Sequence, residues 1–385
     1  MIRFISFTFY ILAIACPVAL AQVTVTDVRA SQRAGSNVVD IHYNITGAEN
    51  PVTVSVALSD DGGTTYVLSP STLSGDIGTG IAAGTNRHIV WDAGTDSPDY
   101  YGSNMRFRVT ASESGGPAPE GFSRIPAGTF TMGSPTSELG RYSNETQHTV
   151  TLTRAFYLQQ TEVTKAQWDA VAAQGPGRGY TDLPVGRNGY NGDASGTHPV
   201  TEVSWYDVVK WLNLKSELEG LTPCYTVSSA TYKTGQSTPV CNFNATGYRL
   251  PTESEWEYAC RAGTTTAFYS GPITYTGTSP LDPNLDQIGW YGGNSGINTH
   301  PVGGKQPNAW GLYDMSGNVY EWCWDWYATY PGTVTDPTGP ASGTYRVIRG
   351  GDFISYARYC RSAFRYDYYP DFRYYYLGFR PARSE

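Results

Sequence analysis

The chain has 385 residues, a formal net charge of −8 at pH 7 and an aromatic content of 14%. The length suggests two domains. The acidic balance argues against nucleic-acid binding, because no concentration of cations would attract phosphate. With 43 glycines and 24 prolines, the composition predicts many turns and much irregular loop.

The first 21 residues have the pattern of a signal peptide. Arg3 precedes an apolar run at residues 4–15 that is short for a membrane span, and residues 19–21 fit the small-x-small cleavage rule. Cys16 raises lipid anchoring as an alternative, although the residues around it fit that signal poorly. We therefore expect a protein without a membrane span that is secreted, periplasmic or on the cell surface.

Residues 22–112 are predicted to form an all-β, immunoglobulin-like sandwich. Apolar and polar residues alternate at 23–28 and 52–56, and the Asp-Asp-Gly-Gly sequence at 60–63 is typical of a turn between strands. About 90 residues with turns at this spacing favour a two-sheet sandwich. Residues 113–120 have the composition of a linker, and the second domain is predicted to cover residues 121–385.

Three helices are predicted in the second domain, from Thr164 to about Ala173, from Ser204 to Gly220, and from Thr252 through Cys260. Thr252 and Glu255 form a capping-box pattern, and glycine is typical just beyond a helix end. Cys260 falls on the apolar stripe of its helix, where a buried, unreactive thiol is expected. Everything after Gly263 is predicted to be loop, turn and short strand, so this domain is an irregular α+β fold.

Ordered motifs run through the second domain. They are Ile125-Pro126-Ala127-Gly128, Pro199-Val200-x-x-Val203-Ser204-Trp205, Tyr248-Arg249-Leu250-Pro251-Thr252-Glu253, Asn308-Ala309-Trp310-Gly311-Leu312-Tyr313, Gly317-Asn318-x-x-Glu321-Trp322, Arg349-Gly350-Gly351 and Leu377-Gly378-Phe379-Arg380. In this order they resemble the sulfatase-modifying-factor family, which includes the formylglycine-generating enzyme. The resemblance implies a fold related to C-type lectins.

The same resemblance raises the question of catalysis. The family's enzyme oxidises a sulfatase cysteine with copper held by two cysteines five residues apart. Counted from Gly350-Gly351, these positions are Ser355 and Cys360 in this chain. A serine hydroxyl is a poor ligand for Cu(I), which prefers soft thiolates, so copper is not expected. An oxidase that uses Cys360, alone or with Cys323, is the alternative.

The resemblance also implies a structural calcium ion, since the family binds calcium through this Gly-Asn-x-x-Glu-Trp motif. The ligands would be Gly317, Asn318, Val319 and the carboxylate of Glu321. Oxygen ligands suit Ca²⁺, and an unpaired buried carboxylate is costly. The alternative is a buried glutamate bonded to backbone amides.

Two cysteines are predicted to form a disulfide. Cys224 and Cys241 flank a polar excursion between the second and third helices, and export would place them in an oxidising compartment.

The C-terminal Tyr-rich segment, residues 353–376, has an unusual pattern. Phe, Ile, Ser, Tyr and Asp, each one base change from the asparagine codon AAC, fill many places where bacterial relatives carry Asn. The varied places are Phe353, Ile354, Ser355, Tyr356, Tyr359, Phe364, Tyr366, Asp367, Tyr368, Tyr369, Phe372, Tyr374, Tyr375 and Tyr376. This resembles the variable region of proteins that diversity-generating retroelements target.

Tyrosine gives large contact area at low entropy cost. We therefore predict that these residues, apart from Ile354 and Asp367, contact a ligand, while Arg361, Ala363 and Arg365 between them face inward. The alternative is a Tyr-rich loop that simply packs. The sequence thus favours an exported binding protein whose ligand is an unknown protein or glycan. Its alternatives are a formylglycine-generating oxidase and a carbohydrate-binding module.

Overall fold

The computed structural model describes residues 23–47, 52–66, 70–96, 105–113 and 118–385. The predicted signal peptide and residues 114–117 of the predicted linker lie outside the described residues. Internal contacts divide the chain into two units, residues 1–116 and 117–385. Within the described ranges, no helix is both long and apolar enough to cross a membrane.

The first unit is an antiparallel β structure, as expected. Its described elements are β1 (Thr24–Gln32), β2 (Val38–Thr46), β3 (Val52–Ser59), β4 (Leu73–Gly75), β5 (Gly78–Ile81), β6 (Gly84–Asp92), the short helix α1 (Ala93–Asp96) and β7 (Arg106–Glu113). One sheet has the order β1-β2-β6-β4 and the other β5-β3-β7. Inward-facing residues of both sheets, among them Ile41, Val54 and Trp91, form one shared core.

The second unit mixes short strands with four helices in its described part. Its elements are β8 (Phe122–Ile125), β9 (Gly128–Met132), β10 (His148–Leu152), β11 (Phe156–Gln159), α2 (Lys165–Ala172), β12 (Arg187–Asn188), β13 (Val200–Thr201), α3 (Trp205–Leu218), β14 (Tyr225–Val227), β15 (Ala230–Thr231), β16 (Val240–Cys241), β17 (Tyr248–Arg249), α4 (Glu253–Arg261), α5 (Pro283–Asp286), β18 (Tyr320–Trp326), β19 (Val334–Thr335), β20 (Arg346–Arg349), β21 (Arg365–Tyr368), β22 (Leu377–Gly378) and β23 (Ala382–Ser384). This is the irregular α+β architecture that the sequence predicted.

All three predicted helices are present, and each begins at the predicted cap. Thr164, Ser204 and Thr252 each accept a hydrogen bond from the backbone N–H three residues on, and that third residue bonds back, which completes a capping box. The short helix α5 was not expected. It begins because Asp282 accepts bonds from the N–H groups of Asn284 and Leu285.

The sheet that carries the C-terminal region has the strand order β21-β20-β18-β22. β20 pairs with β21 through Arg346 opposite Tyr368 and Arg349 opposite Arg365. The middle of the Tyr-rich segment is therefore held in the sheet as β21, and its end leads directly into β22.

Buried arginines tie the Tyr-rich segment to the rest of the unit. Arg361 is fully buried, with Nη1 and Nη2 each 2.7 Å from a carboxylate oxygen of Glu145. Glu138 accepts a further bond from Nη1 at 2.7 Å. Arg365 donates to both oxygens of Glu253, at 2.8 and 2.6 Å. Both arginines face inward, as the sequence predicted.

Two more arginines continue this arrangement on either side of the segment. Arg349 pairs with Glu257 and Arg380 pairs with Glu321, and all four side chains are fully buried. Burial by itself would raise the pKa of the Glu257 carboxyl, but the guanidinium groups of Arg261 and Arg349 outweigh it and leave that pKa lowered. The buried charges thus compensate one another.

Replacing Arg361 with alanine should destabilise the protein by about 3–5 kcal/mol, because the carboxylates of Glu138 and Glu145 would lose their buried cation. Urea denaturation measures the change in the free energy of unfolding. Arg358→Ala is the matched control, since Arg358 bonds to the Tyr359 hydroxyl and no carboxylate among the described residues. It should cost about 1 kcal/mol or less. Equal losses for the two variants would contradict the anchoring role.

Candidate functional site

The exposed tyrosines of the Tyr-rich segment are the most prominent feature of the second unit's surface. Tyr356, Tyr366, Tyr369 and Tyr374 have relative exposures of 48%, 47%, 41% and 36%. Five more aromatic residues of the segment are half-buried, namely Tyr359, Tyr368, Phe372, Tyr375 and Tyr376. Together these nine side chains form what we call the aromatic surface.

Ring contacts make the aromatic surface continuous. Tyr368 packs against Phe372 and Tyr374 with centroid distances of 5.7 and 5.3 Å, and Tyr374 stacks on Tyr376 at 5.0 Å. The Tyr368 and Tyr376 hydroxyls lie 2.5 Å apart. These contacts hold the rings in place before any ligand arrives.

Residues from outside the segment extend this surface, and sequence analysis missed them. Tyr142 lies 6.2 Å from Tyr359 between ring centroids, Tyr190 lies 4.9 Å from Tyr375, and Tyr345 lies 4.5 Å from Tyr369. No local sequence pattern distinguishes these tyrosines, because their proximity depends on the tertiary fold.

Three residues predicted to contact ligand are buried. Phe353 is fully buried and stacks on Tyr190, and Phe364 is 5% exposed. The Ser355 hydroxyl accepts a hydrogen bond from the Asp352 N–H at 3.2 Å. The prediction that these three lie on the surface is therefore wrong. Their residue types fit the same pattern as those of their exposed neighbours. Packing in the folded unit alone determines which of these side chains are buried and which are exposed.

The potential catalytic cysteine is also buried. Cys360 packs among apolar side chains that include Phe268, Leu285 and Tyr291. A Cβ atom added to Gly351 would lie 2.7 Å from its sulfur, so the backbone closes tightly over the thiol. Burial raises the pKa of this thiol well above its usual value. Cys323 is fully buried in a different apolar cluster, so the two thiols do not share a site.

The carboxylate expected to bind calcium already has partners. Glu321 is fully buried and accepts bonds at 2.7 Å from Arg380 on each oxygen, while the indole N–H of Trp256 adds a third bond at 2.8 Å. Of the backbone ligands expected, the Asn318 carbonyl accepts the N–H of Phe353 at 2.9 Å, and the Val319 side chain is fully buried. Both oxygens of Glu321 therefore already accept hydrogen bonds, and its charge is already paired with that of Arg380.

Gly317 is required at the start of this loop. Its φ is +102°, and an added Cβ atom would lie 2.2 Å from the Trp290 carbonyl oxygen. The glycine thus permits the close approach that lets the Asn318 N–H donate to the same carbonyl at 2.7 Å.

Two other carboxyl groups near Glu321 have oxygens without hydrogen-bond donors, although Oδ2 of Asp314 accepts the Gly303 N–H at 2.6 Å. Both oxygens of Glu162 and Oδ1 of Asp314 are buried without a hydrogen-bond partner among the described residues, and the Asp314 carboxylate is close enough for its charge to add to the effect of burial in raising the pKa of Glu162. Burial raises the pKa of Glu162 well above its usual range and that of Asp314 to about 6. Such a pair requires a shared proton or a cation. Within the described ranges, no three His, Cys, Asp or Glu side chains converge into a group that could hold a metal ion by side chains alone.

The predicted disulfide is not formed in this structure. Cys224 and Cys241 are both free thiols. Cys224 directly precedes β14, and Cys241 lies in β16, the strand that pairs with β14. The register pairs Tyr225 with Cys241, and the Cys224 carbonyl accepts the N–H of Asn242 at 2.8 Å. Cys224 is therefore displaced by one residue from the position opposite Cys241.

The comparison with known families agrees with this geometry. A model of the sulfatase-modifying factor enzyme 1-like domain matches residues 109–385. The chain belongs to this family. The formylglycine-generating enzyme of Streptomyces coelicolor is 33% identical over 291 residues, which are 68% of this chain and 88% of the enzyme. The chaperone protein LppX of Paenibacillus barcinonensis is 33% identical over 225 residues, 52% of this chain and 70% of that protein.

Two solved structures of other proteins are similar to this chain. Treponema denticola variable protein 1 is 34% identical, with a TM-score of 0.57 over 69% of this chain and 95% of that one. PvdO from Pseudomonas aeruginosa is 28% identical, with a TM-score of 0.54 over 69% of this chain and 94% of its own. The second unit thus has the C-type-lectin-like fold of the formylglycine-generating enzyme type.

Cys360 should resist alkylation in the native protein, because a thiol must reach solvent as a thiolate to react. Iodoacetamide treatment before and after unfolding, followed by peptide mass mapping, measures the modified fraction. We expect Cys360 to be modified only after unfolding. Rapid modification in the native state would contradict its burial.

The Cys224–Cys241 disulfide stays a prediction. Peptide mass mapping without reductant tests it, because a disulfide would keep the two peptides linked.

Proposed function

We propose that this protein is an exported ligand-binding member of its family and that the aromatic surface is its binding site. The observation that carries the proposal is that the Tyr-rich segment combines exposed tyrosines with buried, paired arginines. Tyrosine rings at varied places face solvent, while Arg361 and Arg365 between them are anchored by buried carboxylates. Surface substitutions usually change stability by less than about 0.5 kcal/mol, so the rings could change while the fold persists.

Several observations support binding over oxidation. Ser355 occupies the place of one copper ligand, and Cys360, at the place of the other, is packed away from solvent. The similarity to Treponema denticola variable protein 1 also supports the proposal that this segment is diversified. A carbohydrate-binding module remains the second candidate, because exposed tyrosine faces also stack on sugars.

A library test addresses binding directly. Full-length chains randomised at Tyr356, Tyr366, Tyr369 and Tyr374 should yield binders when selected against an immobilised basic protein such as lysozyme. The control library randomises four other exposed apolar side chains, Val185, Val240, Tyr275 and Ile297, and should yield none, because these are not part of the aromatic surface. Equal success of the two libraries, or failure of the first, would contradict the proposed site.

The coding DNA tests diversification separately from binding. We expect a second, AAC-rich copy of the C-terminal coding segment close to a reverse transcriptase gene. Variation among individual genes should fall at the varied places and spare the codons of Arg361, Ala363 and Arg365. Absence of a second copy would contradict diversification by a retroelement but would not affect the proposal of binding.

For the structural calcium ion, we propose Glu162 and Asp314 as the carboxylate ligands instead of Glu321. Both oxygens of Glu162 and Oδ1 of Asp314 lack donors, whereas both oxygens of Glu321 accept hydrogen bonds from Arg380. Hard oxygen ligands of this kind suit Ca²⁺, and a bound ion would offset the cost of two adjacent buried carboxylates.

Thermal melting with calcium or with a chelator tests this assignment. Chelator should lower the melting temperature of the wild type, and Glu162→Gln should abolish the gain from calcium. Glu321→Gln is the control, because it should destabilise the protein equally with and without calcium by weakening the pairing of Arg380. In chelator, stability should also fall as pH rises through about 6, since the raised pKa of Asp314 means that the folded state loses a bound proton there. A wild type insensitive to chelator would exclude the ion.

A further inference from the structure

An open cleft of about 470 Å³ lies at one end of the aromatic surface. One wall consists of Tyr142, Phe364 and Tyr366, with centroid distances of 5.5 Å from Tyr142 to Phe364 and 6.3 Å from Phe364 to Tyr366. Tyr327 also lines the cleft, and its hydroxyl accepts a hydrogen bond from the Asn144 amide at 2.6 Å. The cleft is therefore mainly an aromatic enclosure.

The cleft contains one carboxylate without a partner among the described residues. Asp367 lines it and is half-buried, and its backbone pairs with Val347 of β20, which fixes its position. Burial raises the pKa of the Asp367 carboxyl, and the nearby Arg365 opposes that effect. The Arg365 guanidinium also lines the cleft, but its charge is balanced by its pairing with Glu253.

An aromatic enclosure with one unpaired carboxylate is suited to a cation. Faces of tyrosine rings attract ammonium and guanidinium groups, and the carboxylate supplies a charge partner. The structure already shows this preference at Tyr327, whose ring lies 4.5 Å from the Arg365 guanidinium carbon. The net charge of −8 would favour approach of a basic partner.

We propose that this cleft binds a lysine or arginine side chain of a partner protein and that Asp367 determines this specificity. The inference rests on the proposed binding function and adds the partner's chemistry. Asp367 is one of the varied places, whereas Tyr142, Asn144 and Tyr327 lie outside the Tyr-rich segment. The cleft thus combines aromatic residues from outside the segment with residues at varied places, among them Asp367, so another residue at 367 would select another ligand side chain.

Saturation-transfer NMR on the full-length protein tests the inference with blocked pentapeptides of glycine that carry a single central residue. The lysine and arginine peptides should receive saturation at their side-chain methylenes. The peptide with norleucine, which has lysine's chain without its charge, should bind at least tenfold more weakly. Comparable binding of lysine and norleucine peptides would overturn the inference.

Two variants locate the effect. Asp367→Asn should weaken binding of the basic peptides at least tenfold, since the shape of the cleft is kept and its charge removed. Asp371→Asn, which removes an exposed carboxylate from the same segment outside this cleft, should leave binding unchanged. Equal effects of both variants would indicate non-specific charge attraction and would overturn the site. Binding of neutral sugars that Asp367→Asn does not affect would favour a glycan ligand and would also overturn it.

The outcome is separable from that of the broader proposal. If the library randomised at the four exposed tyrosines yields binders while basic peptides do not occupy the cleft, the aromatic surface stands and only the role of Asp367 fails. If neither experiment detects binding, the proposed function itself fails.

Discussion

Burial of arginine–carboxylate pairs is the constraint on which the C-terminal half of this unit depends. Arg349, Arg361, Arg365 and Arg380 are almost completely removed from water, and each has a carboxylate partner from a distant part of the chain. Taking such charges out of water is expensive, and removing one partner is more expensive than keeping both. The pairs therefore hold the segment in one conformation even where they add little net stability.

This arrangement separates conformation from surface chemistry. Along β21 the buried Arg365 alternates with the exposed Tyr366, because successive side chains of a strand point to opposite sides. The buried arginines fix the backbone, while the rings pack laterally on one another, and Tyr359, Tyr368 and Tyr376 also contact the edge of the core. Ring stacking and the paired hydroxyls of Tyr368 and Tyr376 limit the entropy that binding would cost.

The family's chemistry is not apparent at the corresponding positions of this chain. A fold carries many functions, and the chemistry of the site decides among them. Here Cys360 serves as an apolar packing residue beneath Gly351, and Ser355 bonds to the backbone of Asp352.

The sequence by itself determined the local features. The caps at Thr164, Ser204 and Thr252 specify helix starts through bonds that span three residues, and the ordered motifs specify the family. Tertiary structure decided which varied residues face solvent: Phe353 and Phe364 are interior, while Tyr366 and Tyr374 are not. It also gave Glu321 an arginine partner 59 residues away and left both oxygens of Glu162 and Oδ1 of Asp314 without donors. Such pairings join residues that are distant in the chain, so no local pattern encodes them.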